Sequence, residues 1–162
     1  TLTADTGIDA LTHALEAAVS IFGSPFTDAF CVQAVHQILP NLPRAFADGS
    51  DLEARTAMSN AATIAGLAFS NAFVGVNHAL AHAVGARFGV AHGRANGLFL
   101  PHVLRYNAAI HDFLMLNPLR GTAATTAALE QAVHVLRKAL STNTNTNTNT
   151  ANSAVQSKGE QS

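Results

Sequence analysis

The 162-residue sequence is poor in charged residues and in cysteine, and each scarcity excludes a class of protein. Only 12% of the residues are charged, against 48% hydrophobic, and the formal net charge is −1. No Lys/Arg cluster occurs. This argues against nucleic acid or an anionic membrane as the main partner, because both require a concentrated basic surface. The apolar content predicts a chain that folds around a core.

A single cysteine, Cys31, excludes an intrachain disulfide. One free cysteine fits a reducing compartment, and we expect a cytoplasmic protein. The N-terminus lacks the basic and apolar stretches of a signal peptide. The most apolar window, Ala61 to Val76, contains polar residues and is shorter than the about 20 residues that span a bilayer, so it predicts a buried helix. The sequence starts at Thr1 rather than Met, from which we expect a fragment or a processed product.

Helical periodicity covers most of the chain, and no run alternates with the period of a strand. The sequence therefore predicts an all-α helical bundle. The predicted helix starts are Thr6 as N-cap before Gly7, the pair Ser24-Pro25, and the capping-box pattern Ser50 to Glu53. The first helix should end near Val19, the second at Pro40 and Pro43, and the third near Phe73. Two more helices should cover about Val76 to Ala86, ended by Gly85 and Gly89, and Gly97 to Tyr106.

The last third of the chain differs from the rest. Ala123 to Leu140 has a helical pattern, but Thr142 to Thr150 is a strict Thr-Asn repeat. Such a polar tract buries too little apolar area to offset its ordering entropy. We expect a helical domain over residues 1–140 and a disordered Thr/Asn-rich tail over residues 141–162.

Several residues with metal-binding side chains occur at helical spacing. Asp9 and His13 lie four residues apart, and His78 and His82 repeat that spacing. His92 follows in a glycine-flanked segment, where flexible backbone would aim it back inward. A carboxylate and imidazoles suit Fe²⁺, Zn²⁺ or Mn²⁺, whereas the lack of thiolate pairs argues against a closed structural zinc site. Spacing alone leaves a metal site and ordinary structural histidines both open.

Three segments resemble the iron-containing alcohol dehydrogenase family. The run Thr6 to Ala17, TGIDALTHALEA, is similar to that family's GxDAxxHAxEA segment. Ala61 to Ala72 resembles its long central helix. Gly75 to His82, followed by His92-Gly93 and the run Leu100 to Asn107, resembles its other characteristic segment. The matches occur in the family's order over about residues 1–108.

The resemblance implies that Asp9, His13, His78 and His92 are the four metal ligands of an Fe²⁺ site, with Zn²⁺ as the alternative. It implies a catalytic and cofactor-binding role for His82, beside the nicotinamide and the substrate, as a proton relay. The implied reaction interconverts a primary alcohol and its aldehyde by hydride transfer with NAD or NADP, and the metal polarises the substrate oxygen. Family members carry an N-terminal α/β nucleotide-binding half, which we expect to be missing here. The apolar face that this half would cover should favour self-association into a homo-oligomer.

Three other interpretations stay open. A zinc-dependent relative, such as a glycerol dehydrogenase or a dehydroquinate synthase, would use similar helices but typically three protein ligands. A non-haem iron oxygenase needs two histidines and a carboxylate, usually on a β-barrel. An inactive helical interaction module would have merely structural histidines and bind no metal.

Overall fold

Five α-helices make up the part of the chain that the computed structural model describes, residues 2–114. They are α1 (Leu2–Ala18), α2 (Pro25–Ala47), α3 (Leu52–Ala72), α4 (Val76–Phe88) and α5 (His92–Leu114). Residues 2–114 contain no strand, which confirms the all-α prediction. The predicted helix at 123–140, the tail at 141–162 and the boundary between them lie outside the described residues.

Helix α1 lies at the centre and packs against α2, α3 and α5, while α4 packs against α5. The largest fully buried apolar side chains are Leu11 of α1, Ile38 of α2 and Leu100 of α5. Helix α3 contributes mainly alanines, of which Ala61 and Ala65 lie in the same cluster. These small side chains bring the backbone of α3 close to its neighbours, as the sequence predicts.

The predicted start of α1 is wrong, because the helix begins at Leu2 rather than after Thr6. The Thr6 hydroxyl donates to the Leu2 carbonyl at 3.0 Å instead of capping a helix N-terminus. Threonine makes this bond to the preceding turn when it lies inside a helix.

Helix α2 confirms its predicted start and contradicts its predicted end. Ser24 and Thr27 form a reciprocal capping box, and Pro25 occupies the first turn. The helix continues through Pro40 and Pro43 to Ala47. Both prolines lie on the exposed side. The opposite side of the helix is packed into the core through Ile38 and Ala45, which are 0% and 2% exposed. This packing keeps the helix intact although the two prolines lack a backbone N–H donor.

The other helix boundaries differ from prediction in detail. The N-cap of α3 is Asp51, which accepts from the Ala54 backbone, while Ser50 bonds to Asp48. Helix α4 ends at Gly89 in the left-handed conformation (φ 66°), as glycine allows. Helix α5 begins five residues before the predicted Gly97 and continues past Tyr106 to Leu114.

Within residues 2–114, no single helix is both long and apolar enough to cross a membrane. Helices α3 and α4 meet that requirement only when taken together, and they are bent by 106° where they join.

Candidate metal centre

Three helices bring the predicted site residues to one place. The chain turns sharply between α3 and α4 at Phe73, a non-glycine residue with φ 63°. This turn brings the start of α4 to α1, where His78 lies beside Asp9 and Glu16. His92 is the first residue of α5 rather than part of a flexible loop, so the predicted reason for its orientation is wrong. Its position follows from the close approach of α5 to α1 at Gly93, where an added Cβ would overlap the Asp5 backbone.

Asp9, His78 and His92 have donor atoms that all lie within 4.8 Å of one another. Asp9 Oδ1 is 3.3 Å from His92 Nε2 and 3.7 Å from His78 Nε2. The His78 side chain is 5% exposed and the His92 side chain 40% exposed, so the cluster opens to solvent on the His92 side. One carboxylate oxygen and two imidazole nitrogens at these separations could hold a divalent metal.

The side-chain amide of Asn96 lies between these three donors. Its Nδ2 is 2.6 Å from Asp9 Oδ1, 3.2 Å from His78 Nε2 and 3.1 Å from His92 Nε2. Asn77 Nδ2 donates to Asn96 Oδ1 at 2.9 Å, which fixes the amide with its nitrogen toward the donors. The Asn77 Oδ1 atom is buried without a hydrogen-bond partner in the described structure.

His13 and His82 border the cluster without joining it. His13 Nδ1 lies 2.9 Å from the Asp9 carbonyl oxygen. Because a carbonyl oxygen can only accept, Nδ1 carries the proton and Nε2 is the unprotonated nitrogen. The His13 ring lies between Phe69 and His78, with centroid distances of 4.3 and 4.2 Å. The exposed His82 ring lies 4.9 Å from the His92 ring. The structure thus brings all five predicted residues together, three of them with converging donor atoms.

A second carboxylate, Glu16, lies behind His78. Glu16 Oε2 is 2.5 Å from His78 Nδ1, and the two side chains are 3% and 5% exposed. Glu16 also accepts the backbone N–H groups of Asn77 and His78, at 2.7 and 3.3 Å. Glu16 and Asn96 are two residues of the site that the sequence did not predict. The available signal was their spacing, seven residues after Asp9 and four after His92, which places each on the same helix face as a predicted ligand.

The contacts between His78 and the two carboxylates shift the pKa values of all three groups toward their charged forms. Burial by itself lowers the pKa of His78, but the Asp9 and Glu16 carboxylates outweigh it and raise that pKa to about 9. Burial by itself raises the pKa of Asp9 and of Glu16, yet contacts with His78 leave both pKa values below their usual range. A metal ion would therefore replace a proton at His78 and bind the Asp9 carboxylate, which is already charged.

The donor set fits a transition metal. Its members are hard oxygen and imidazole nitrogen, a combination that suits Fe²⁺, Zn²⁺ or Mn²⁺. Cys31 lies in the core with Ala17, Ala68 and Ala72 and is not part of this set. Three protein donors leave coordination positions open for water or a substrate oxygen.

Known proteins are similar to this chain in sequence and in fold. Residues 3–158 match the Fe-containing alcohol dehydrogenase family, C-terminal. The 1,3-propanediol dehydrogenase of Citrobacter freundii is 44% identical over 145 residues, which is 85% of this chain and 37% of that protein. The NAD-dependent methanol dehydrogenase of Bacillus methanolicus is 41% identical over 143 residues, 85% of this chain and 38% of that protein.

A solved structure, the alcohol dehydrogenase from Oenococcus oeni, superposes with a TM-score of 0.71 at 35% identity. The superposition covers 85% of this chain and 37% of that one. The chain thus spans less than two fifths of the length of each of these three proteins.

Proposed function

Since the chain belongs to the Fe-containing alcohol dehydrogenase family, we propose that it is the metal-binding part of an oxidoreductase that interconverts a primary alcohol and its aldehyde. The observation that carries this proposal is the convergence of the Asp9, His78 and His92 donor atoms within 4.8 Å, from three separate helices. The similarity to 1,3-propanediol and methanol dehydrogenases favours a small primary alcohol as substrate.

The residues divide the work as follows. Asp9 supplies negative charge, and the imidazoles of His78 and His92 supply neutral donors, so that the site holds a divalent cation. His13 completes the set as the fourth ligand through its free Nε2. When bound, the metal supplies Lewis acidity toward the alcohol or aldehyde oxygen. His82 is exposed beside His92 and passes the hydroxyl proton to solvent, a task for which imidazole is suited near neutral pH.

The hydride acceptor in this proposal is NAD or NADP, with NAD favoured by the name of the methanol dehydrogenase relative. Dinucleotide-binding folds require a parallel sheet with a glycine-rich turn. Residues 2–114 contain no strand. The relatives are more than twice as long as the matched region. We therefore place the nucleotide-binding domain outside residues 2–114.

A zinc-dependent enzyme of the same general type is the second candidate. It is favoured by the position of His13, which lies outside the three-donor group of Asp9, His78 and His92. Three protein ligands are the usual set for catalytic zinc.

Metal analysis of the chain purified under anaerobic conditions tests the proposal. Wild type should carry about one metal ion per chain, and His92→Ala should lose it, because a donor that faces Asp9 at 3.3 Å is removed. His36→Ala, which removes an exposed histidine on α2, is the matched control and should keep the metal. A folded wild type without metal would contradict the proposal. His13→Ala separates the candidates: it weakens a four-ligand iron site and leaves a three-ligand zinc site intact.

His82→Ala tests the division of roles. Because His82 borders the cluster but lies outside its converging donors, this variant should retain metal at the wild-type stoichiometry. In the full-length enzyme, the variant should slow turnover, because proton transfer typically contributes about 10²–10⁴-fold to the rate. Loss of metal from His82→Ala would show that His82 is a ligand instead.

A further inference from the structure

Glu16 is a buried acidic residue that lies beside the three converging donors without being one of them. Its side chain is 3% exposed, and both carboxylate oxygens accept hydrogen bonds from α4. Oε1 accepts from the Asn77 backbone, and Oε2 accepts from the His78 backbone and contacts the His78 ring. A buried carboxylate is costly unless it is fully paired in this way.

Glu16 provides the cap that α4 lacks in its own sequence. Gly75, the residue before α4, has no side chain with which to cap the free N–H groups of the first turn. The carboxylate reaches these groups from α1, where its negative charge also suits the positive end of the helix. A Cβ at Gly75 would lie 3.0 Å from Glu16 Oε1, so glycine lets the carboxylate approach. This contact fixes the start of α4 relative to α1.

The same carboxylate determines which nitrogen of His78 is available. A carboxylate oxygen only accepts, so the proton between Glu16 Oε2 and His78 lies on Nδ1. The other nitrogen, Nε2, is the atom that lies 3.7 Å from Asp9 Oδ1 and 3.2 Å from the Asn96 amide. One side chain thus controls both the position of the His78 backbone and the tautomer of its ring.

We infer that Glu16 is a positioning residue of the proposed metal centre, holding His78 with Nδ1 protonated and Nε2 directed at the metal. This inference rests on the proposed function, because it requires that Asp9, His78 and His92 bind a metal. A hydrogen bond from a ligand histidine to a carboxylate behind it commonly contributes about 10–100-fold to metal affinity.

Glu16→Gln is the variant that tests the inference. The Gln carbonyl can still accept an α4 backbone N–H, so the anchor to α4 is kept in part. The Gln amide donates toward His78 Nδ1, which favours the tautomer with its proton on Nε2 and opposes metal binding there. We expect the Zn²⁺ dissociation constant, measured by competition with a chelator, to rise about 10–100-fold. Glu53→Gln, which changes a carboxylate of the α3 first turn that pairs with Arg44, is the matched control and should leave it unchanged.

Nitrogen NMR of the histidine rings in the Zn²⁺-loaded wild type gives a second readout that does not depend on the variant folding. The inference predicts that His78 Nδ1 carries the proton and Nε2 binds the metal. Binding through Nδ1, or an unchanged Zn²⁺ affinity in folded Glu16→Gln, would overturn it. A wild type that binds no Zn²⁺ or Fe²⁺ would instead refute the metal site itself, and the role of Glu16 with it.

Discussion

The side-chain amide of Asn96 connects the donor cluster of Asp9, His78 and His92 to the hydrogen bonds of Asn77 and Glu16. On one side it donates to Asp9 and faces the imidazoles of His78 and His92. On the other side it accepts from Asn77, whose backbone N–H donates to Glu16. Polar groups buried at this depth stabilise a fold only when they are satisfied together. Asn96 therefore holds the donor atoms of Asp9, His78 and His92 in a converged arrangement.

Asn96→Ala should lower the free energy of unfolding of the metal-free chain by about 1–3 kcal/mol, because Asp9 and Asn77 lose a buried partner. Chemical denaturation in the presence of a chelator measures this change. Asn71→Ala is the matched control, since Asn71 is exposed on α3 and bonds only to the Leu67 carbonyl among the described contacts. Equal losses in the two variants would show that the Asn96 amide has no special role in the cluster.

At the scale of the helices, the site depends on how closely α5 approaches α1. An added Cβ at Gly93 would overlap the Asp5 carbonyl, and one at Gly97 would lie 2.9 Å from Ile8 Cγ2. Arg94 adds an ion pair to Asp5 at 3.1 Å across the same contact. These two glycines place His92 and Asn96 within reach of Asp9.

Gly93→Ala should push α5 away from α1 and separate His92 from Asp9. We expect a destabilisation of about 1–3 kcal/mol, the usual cost of overpacking, and weaker Zn²⁺ binding. Gly66→Ala is the control: its added Cβ meets nothing within 4 Å, so it should stabilise α3 by about 0.5–1 kcal/mol. Denaturant unfolding and chelator competition measure both effects. Wild-type stability and affinity in Gly93→Ala would contradict this account of the helix contact.

Local chemistry made some helix boundaries predictable and others not. Ser24, Pro25 and Gly89 act through their own backbone neighbourhood, and the structure confirms them. Proline usually ends a helix, so Pro40 and Pro43 predicted an end of α2. The packing of α2 overrides this preference, because the core contacts lie on the opposite side of the helix.

At the scale of the whole molecule, the all-α fold and the helices that carry Asp9, His13, His78 and His82 could be read from spacing and from the family resemblance, whereas the helix that carries His92 was predicted to start only at Gly97. The meeting of α1, α4 and α5 could not, since it depends on contacts between residues as distant as Asp9 and Asn96. For the same reason Glu16 looked like an ordinary helix carboxylate: its burial and its contact with His78 exist only in the folded chain.

The connections between helices expose apolar side chains. Phe22 after α1 contacts Phe73 after α3 edge to face, with ring centroids 5.4 Å apart. Ile21 and Phe26 nearby are 84% and 79% exposed. Exposed apolar side chains therefore occur at this end of the bundle. The apolar face left by a missing nucleotide-binding half, and the self-association it would favour, stay predictions.

Anomalous X-ray scattering at the zinc edge, from crystals of the Zn²⁺-loaded chain, tests the central claim most directly. We predict one strong peak bonded to an Asp9 oxygen and to Nε2 of His78 and His92 and, in the four-ligand site proposed above, to Nε2 of His13. Each bond should be about 2.0–2.2 Å, with the Asn96 amide displaced from its position between the donors. A peak elsewhere, or an Asn96 amide that still lies between the three donors with no metal there, would contradict it.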